Sequence, residues 1–439
     1  MSKKFITILL FLASCISVQY SYAQIEVRTY HDSLNLHIKE IFFINNAKDS
    51  LKHGIYKRFY KTKQLEAICL FHNGLNDSIH TEYYANGKEK IIIPYVKSKK
   101  NGEVKSWDEK GALLQKGTYQ NDSLTGLFET YYPNKSIKTS CTFNNGKLEG
   151  ILKSYFQDGK LKEEASYLDN FKEGVTKTFY ATGIVKTEEF YERGIPHGYF
   201  KTYFPNGNLD TESQNLKGQK TGSYKSYTQD GKLILEGHLL NGFPHGVTKS
   251  YFENGKLKHL YKYANGKKEG KNLSYYENGN IKEKAVYSDE ESIAKVTTYF
   301  ENGKKHEIYE LVNGLKEGIV IVKFENGKVK FKENYNKGVL MGERLIFSEN
   351  GVLFSKENYN AAGKKNGMTY FYYPNKKVKE SITYKANAKH GAYKLFYPNG
   401  LKQTEAEYQV DKLHGTKRNY DENGKLVSTE IYKLGEKIK

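Results

Sequence analysis

Residues 246–270, GVTKSYFENGKLKHLYKYANGKKEG, hold the pattern that decides the fold. The run opens on a glycine, passes an aromatic pair and Asn254-Gly255, and ends at another glycine after a second aromatic segment. Asn-Gly between two strand-like segments is a strong hairpin signal, because a type I′ turn needs positive φ at both central residues. The stretch therefore predicts two strands joined by a type I′ turn at Asn254-Gly255, with a looser return to the next hairpin.

The same pattern recurs every 24 residues, with one slip of a single residue near position 362. Counting the first glycine as position 0, position 5 is aromatic in every repeat but one, where Lys323 stands, and position 9 is usually glycine. A single hairpin of this size is not stable alone, so neighbouring hairpins must pair with one another. Sixteen repeats begin at Gly54, Ser78, Gly102, Gly126, Gly150, Gly174, Gly198, Gly222, Gly246, Gly270, Ala294, Gly318, Gly342, Gly367, Gly391 and Gly415.

Repeats with these glycine, aromatic and Asn-Gly positions resemble MORN repeats, specifically the bacterial MORN-variant type described as antitoxin-like. The resemblance covers roughly residues 50–439. It implies an all-β fold, an elongated, twisted, single antiparallel sheet of about sixteen 24-residue hairpin repeats. For function it implies scaffolding, protein contact or lipid contact, with a neutralising antitoxin or immunity role as an alternative.

The first 23 residues have the pattern of an export signal. Two lysines precede the apolar run FITILLFLASCISV, and the segment ends in small residues, which predicts cleavage between Ala23 and Gln24. A lipobox-like LASC offers lipidation of Cys15 as an alternative. Either route predicts an exported bacterial protein, whether periplasmic, associated with the outer membrane or secreted. Residues 24–50 are then expected to cap the array, and 51–439 to form it.

Lysines and aromatic residues form parallel rows in five consecutive repeats. Residues two apart on a strand share a face, so lysines at position 3 should lie beside aromatic residues at position 5. We predict a candidate binding face there. Its residues are Lys153, Lys177, Lys201, Lys225, Lys249, Tyr155, Phe179, Tyr203, Tyr227 and Tyr251.

Two interpretations of this face remain open. One is an anionic glycan or membrane surface, attracted by the formal net charge of +19. The other is a lysine-rich sheet face that stays soluble and contacts an unknown protein partner, which we favour. Only five of the 69 basic residues are arginines, the residue preferred for bidentate phosphate recognition, so nucleic acid is an unfavoured partner.

Catalysis and cofactor binding are not expected. Histidines recur at position 23, as in His245, but a spacing of about 10 Å between adjacent copies is too large for a shared zinc. Acids such as Glu163-Glu164 and Glu188-Glu189 recur with lysines around them, which is typical of a solvated, cross-paired strand face. Cys69 and Cys141 share position 15 but lie three repeats apart, too far for a disulfide. We predict no enzyme activity, no metal and no cofactor.

Overall fold

The computed structural model describes residues 24–45, 50–288 and 290–439. These residues form strands, turns and loops, and none of them is helical. Accordingly, no membrane-spanning helix is found in this part of the chain. The predicted export signal, with Cys15 and Ala23, lies outside the described residues.

The described residues contain forty-two strands, β1 to β42, and these strands pair in antiparallel fashion. The first sixteen are, in order, Ile25–Tyr30, Ile38–Ile44, Gly54–Phe59, Leu65–His72, Leu75–Asn76, Ile79–Tyr83, Glu89–Val96, Lys99–Lys100, Gly102–Trp107, Leu113–Gln120, Ser123–Tyr131, Ile137–Asn144, Lys147–Leu148, Gly150–Tyr155, Leu161–Leu168 and Phe171–Phe179. Strands β17 to β30 are Val185–Glu192, Ile195–Tyr203, Leu209–Leu216, Gln219–Tyr227, Leu233–Leu240, Phe243–Pro244, Gly246–Tyr251, Leu257–Ala264, Lys267–Lys268, Gly270–Tyr275, Ile281–Ser288, Ile293–Tyr299, Lys305–Val312 and Leu315–Lys323. Strands β31 to β42 are Val329–Asn336, Val339–Leu340, Gly342–Phe347, Leu353–Tyr359, Gly367–Tyr372, Val378–Lys385, Ala388–Phe396, Lys402–Gln409, Lys412–Leu413, Gly415–Tyr420, Leu426–Lys433 and Glu436–Lys437.

The chain packs as two compact units. One contains residues up to 185 together with 191–194, and the other contains residues 186–190 and 195–439. In the first unit, the hairpin of β1 and β2 precedes the repeats and pairs with β3 through Glu40 and Arg58. In the second unit, a typical repeat pairs Lys249 of β23 with Leu260 of β24, and β24 pairs onward with β26. The predicted all-β fold of antiparallel repeat hairpins is confirmed.

The loop at Asn254-Gly255 differs from the predicted type I′ turn. The Phe252 N–H donates to the Lys256 carbonyl (2.8 Å), and the Gly255 N–H donates to the Phe252 carbonyl (2.9 Å). Gly255 has a φ of 81°, but Asn254 is not among the residues with positive φ. These features identify a three-residue loop in which a type I turn is followed by a left-handed glycine. Asn254 favours it because its Oδ1 accepts the Lys256 N–H (3.0 Å), so the type I′ prediction is wrong here.

The type I′ turns occur instead at the return segments, which we had expected to be looser. Asn265 and Gly266 have φ values of 48° and 85°, and they join Ala264 directly to its partner Lys267. Two residues with positive φ in a two-residue loop are the pattern of a type I′ turn. The Gly266 N–H also donates to the carbonyl of Pro244 (2.8 Å) in β22, the strand that follows the preceding return turn, so each return segment is hydrogen-bonded to the one before it.

Side chains at position 23 accept hydrogen bonds from backbone N–H groups of these return turns. The Nδ1 of His245 accepts the N–H of Asn265 (3.5 Å), and Nδ1 of His414 accepts that of Leu434 (3.4 Å). Glu173 and Glu317 fill the same position and accept the N–H of Arg193 (2.8 Å) and of Lys337 (2.7 Å) through their carboxylates. An acceptor side chain is therefore a recurrent feature of position 23, with exceptions such as Ile293 and Met341, and histidine is one way to provide it.

We expect Gly255→Ala to lower the free energy of unfolding by about 1 kcal/mol, because an L-residue in the left-handed region loses that much. A Cβ at Gly255 would meet nothing within 4 Å, so the cost is one of backbone conformation alone. Lys135 occupies the same loop position with a φ of 71° and provides the matched control. Lys135→Gly should stabilise the protein slightly in the same denaturation experiment, and equal destabilisation by both variants would contradict this account.

Most of the buried residues form a thin core on one face of the sheet, which we call the packed face. Side chains at positions 0, 2, 13 and 15 supply much of this core. In one cluster, Ala285, Ala294 and Val296 are buried against Tyr287 and Tyr309. The other face carries positions 1, 3 and 5 and is called the outer face.

Candidate functional site

The outer face brings the predicted lysine row into register with glutamates. Position 3 of each repeat pairs with position 14 on both neighbouring strands, so Lys225 lies between Glu212 and Glu236. Lys201 pairs with Glu212, and Lys249 pairs with Glu236. Across β18 to β23 the charges therefore alternate, and we call Lys201, Glu212, Lys225, Glu236 and Lys249 the charge ladder.

Ion pairs hold the charge ladder together. The Lys225 Nζ lies 3.4 Å from Glu212 Oε1, and the Lys249 Nζ lies 3.1 Å from Glu236 Oε1. The lysine side chains keep about two fifths of their surface exposed, at 42% and 43%. Exposed pairs of this kind contribute little stability individually. The consequence of the ladder is a charge pattern that is regular and locally close to neutral.

The predicted tyrosines are fixed against the same glutamates. Tyr227 donates its hydroxyl proton to Glu212 (2.9 Å), and Tyr251 donates to Glu236 (2.7 Å). Desolvation and the bond to the carboxylate raise the pKa of Tyr251 to about 12. The bonds from Tyr251 and Lys249 hold the pKa of Glu236 below its usual value. Tyr203 follows the pattern by donating to Glu188 (3.1 Å), so these rings have restricted orientations on the outer face.

An apolar row lies beside the charge ladder, near the return turns. The row consists of Ile195, Leu216, Leu240 and Phe243, which are 49%, 52%, 40% and 60% exposed. Phe243 packs against Gly266 of the next return turn, where a Cβ would lie 3.3 Å from Phe243 Cδ1. Between the row and the ladder stand Tyr199 and Val247, also exposed. Exposed apolar side chains that lie close together on one face are typical of an interaction surface.

The members of the predicted face in the other unit show related pairing. Lys153 pairs with Glu164 and places its Nζ 3.4 Å from Oε2 of that residue. Lys177 pairs with Glu164 from the opposite side. Tyr155 and Phe179 end β14 and β16, each two residues beyond its lysine. Glu164, one of the acids predicted from the sequence to be cross-paired, thus lies between two lysines, as Glu212 and Glu236 do in the second unit.

A second lysine row on the packed face was not recognised in the sequence. Lysines at position 22 lie over tyrosine rings: Lys268 Nζ is 5.0 Å from the Tyr261 ring centre and 5.4 Å from that of Tyr287. Lys172 Nζ lies 5.1 Å from the Tyr191 ring and 3.0 Å from Glu163 Oε1. Recurrence of lysine one residue before position 23 is the sequence signal that could have indicated this row. Cation–π contact and partial burial make these lysines part of the packing.

One repeat pair departs from the pattern with a buried ionic cluster. Arg344 at position 2 places its Nε 2.8 Å from Glu333 Oε1 and its Nη1 3.7 Å from Glu357 Oε2. Lys365 Nζ is 2.8 Å from Glu357 Oε1, and Tyr359 donates its hydroxyl to the same glutamate (2.8 Å). Glu333 and Glu357 are only 8% and 6% exposed. The four charges balance within the packed face, which assigns the cluster a structural role.

Cys69 and Cys141 both lie at position 15, on the packed face. Cys69 and Cys141 are buried free thiols, and burial raises the pKa of Cys69 to about 11. The thiolate of Cys69, its reactive form, is therefore scarce at neutral pH. No group of three or more His, Cys, Asp or Glu side chains that could hold a metal ion occurs among residues 24–45, 50–288 and 290–439.

Comparison with known proteins supports the repeat assignment. The MORN repeat variant family model matches thirteen segments of the chain, namely 52–73, 100–121, 124–145, 148–169, 172–193, 196–214, 244–267, 268–289, 316–337, 342–361, 365–386, 389–409 and 413–434. No curated protein matches. Solved chains from TcdB2-TccC3-Cdc42 and TcdB2-TccC3-TEV align over 93% of this chain at 13% and 12% identity.

Those structural alignments support no inference, because their TM-score is 0.15 in both cases. The chain spans only 28% and 25% of the two solved chains. The family model, in contrast, matches more than half of the residues and recurs in the 24-residue register of the strands. The chain belongs to the MORN repeat variant family.

Proposed function

We propose that this protein is an exported, non-enzymatic repeat scaffold that binds a protein partner through the outer face. The observation that carries the proposal is the combination on one exposed face of a charge ladder, oriented tyrosines and an apolar row. Protein interfaces combine apolar and aromatic anchors with polar contacts of this kind. Repetition at a fixed spacing also allows weak contacts to add when a partner spans several repeats.

The charge ladder favours a protein over a polyanion as the partner of this tract. A glycan or lipid surface would be attracted by consecutive lysines, but Glu212 and Glu236 stand between Lys201, Lys225 and Lys249. Alternating charges attract a surface that alternates too, and they repel a uniformly anionic one at every second strand. We therefore expect the binding of anionic liposomes to be weak and to vanish on addition of salt.

Site-specific photocrosslinking tests the proposal. A photoreactive amino acid at Lys225 on the outer face should crosslink to a discrete protein in the native cell envelope. The matched control is the same amino acid at Lys220, which is exposed on the packed face over the Phe200 ring. Equal products from both positions, or none from position 225, would contradict binding through the outer face.

Export is tested separately by the intact mass of the protein purified from its own cells. A mass that begins at Gln24 supports cleavage after Ala23, and a lipid-modified mass that begins at Cys15 supports the lipoprotein route. Retention of residues 1–23 without modification would contradict export.

A further inference from the structure

We infer that the outer face of β18 to β24 docks on the same face of a second copy of this chain, in one defined register. This inference rests on the proposed function. It adds a specific partner, a second copy of the chain, for the outer face of β18 to β24. Three observations carry it, all from residues 195–264: the alternation of the charge ladder, the position of the apolar row and the size of the exposed surface.

Charge alternation makes the tract complementary to itself. Consider a two-fold axis that runs parallel to the strands, between β20 and β21, in the plane where the two outer faces meet. In the second copy this axis reverses the order of the strands across the sheet, but it leaves each residue at the same height along its strand. Lys225 then faces the partner's Glu236, and Glu212 faces the partner's Lys249. The symmetry repeats both contacts, so four pairs of opposite charge meet across the interface.

The same axis also matches the apolar rows. Because each residue stays at the same height along its strand, the sheet edge that carries the return turns in one copy lies against the same edge of the other copy. Leu216 then meets the partner's Phe243, and Leu240 lies beside the axis, so the 52% and 60% exposed side chains cover each other. An axis perpendicular to the strands would instead place each apolar row against the polar loops that contain Asn206 and Asn254. Only the parallel axis satisfies both the charges and the apolar side chains.

The available area fits a stable complex. Six paired strands at about 4.8 Å spacing, each with about eight residues at 3.3 Å, give about 29 by 26 Å. That is about 750 Å² per copy, close to the ~800 Å² per partner of stable protein–protein interfaces. The tyrosines bonded to Glu212 and Glu236 are already ordered, which reduces the entropy lost on association.

Charge exchange tests the register. Lys225→Glu places a carboxylate opposite the partner's Glu236, and Glu236→Lys places an amine opposite the partner's Lys225. We expect sedimentation equilibrium to show a wild-type dimer and an increase of about 100-fold in the dissociation constant for each variant alone. An equimolar mixture of the two variants should dimerise again, because every facing pair then has opposite charges.

A second variant tests the dimer independently, in case the charge variants misfold. Leu216→Ser with Phe243→Ser changes only exposed side chains, should leave the circular dichroism spectrum unchanged, and should give a monomer. A wild type that stays monomeric at the highest concentration of the sedimentation experiment, dimers in all variants, or a variant mixture that stays monomeric would each overturn the inference. Such a failure would leave the crosslinking test with an envelope protein unaffected, so the two proposals are separable.

Discussion

Arg344→Met will destabilise the repeats around it by about 3 kcal/mol, because it removes one partner from a buried ionic cluster. Glu333, only 8% exposed, loses the guanidinium 2.8 Å from its carboxylate and keeps the hydroxyl of Tyr335 (3.1 Å) as a hydrogen-bond donor. Glu357 retains Lys365, so Glu333 should cause most of the loss. Each repeat contacts only its neighbours, so the effect should be local. Faster hydrogen exchange confined to residues 329–372 is the expected result.

Arg418→Met is the matched control. Arg418 also contacts a glutamate, with Nη1 3.3 Å from Glu405 Oε1, but its side chain is 47% exposed. Loss of an exposed pair costs at most about 1 kcal/mol. If both arginine variants have equal effects, burial of the cluster around Arg344 does not determine its contribution.

A double variant tests whether the uncompensated carboxylate of Glu333 causes the loss of stability in Arg344→Met. Glu333→Gln added to Arg344→Met removes the unpaired charge and should restore stability at neutral pH.

The 24-residue period was sufficient to predict the repeat, the strands and the shared face of Lys249 and Tyr251. These features follow from alternation along a strand, which the sequence displays directly. Cross-paired glutamates were also recognisable, because acids and lysines recur at fixed positions. The alternating order in which Lys225 lies between Glu212 and Glu236 depends on the register between strands, which the loop conformation sets.

Loop conformation was the point at which sequence reasoning failed. Asn-Gly occurs both at 254–255 and at 265–266, yet only the second pair has positive φ at both residues. The difference lies in loop length and in the bonds made to neighbouring repeats, neither of which the dipeptide shows. The role of Arg344 was not predicted for another reason. Arginine stands at position 2 in this repeat alone, and a single departure from the repeat carries no periodic signal.

Gly237→Ala is expected to cost about 1–3 kcal/mol, although it adds only one methyl group to a packed strand. A Cβ at Gly237 would lie 2.6 Å from the hydroxyl oxygen of Tyr224, 2.7 Å from its Cζ and 2.8 Å from Thr248 Oγ1. Tyr224 faces Gly237 on the adjacent strand, so its ring cannot move away without loss of packing. Chemical denaturation, with hydrogen exchange of residues 219–251 as the local readout, measures the effect.

An earlier repeat shows how this clash should be relieved. Position 15 there is Ala165, fully buried, and its partner on the adjacent strand is Leu152 where repeat 222–245 has Tyr224. In a Tyr224→Leu background, Gly237→Ala should therefore cost less than about 0.5 kcal/mol, since the pair then matches Leu152 and Ala165. Equal costs in both backgrounds would show that the tyrosine ring is not the obstacle. The expected coupling means that the paired side chains at positions 2 and 15 of adjacent strands fill one common space. A larger side chain at one of these positions is therefore tolerated only when the side chain at the other is smaller.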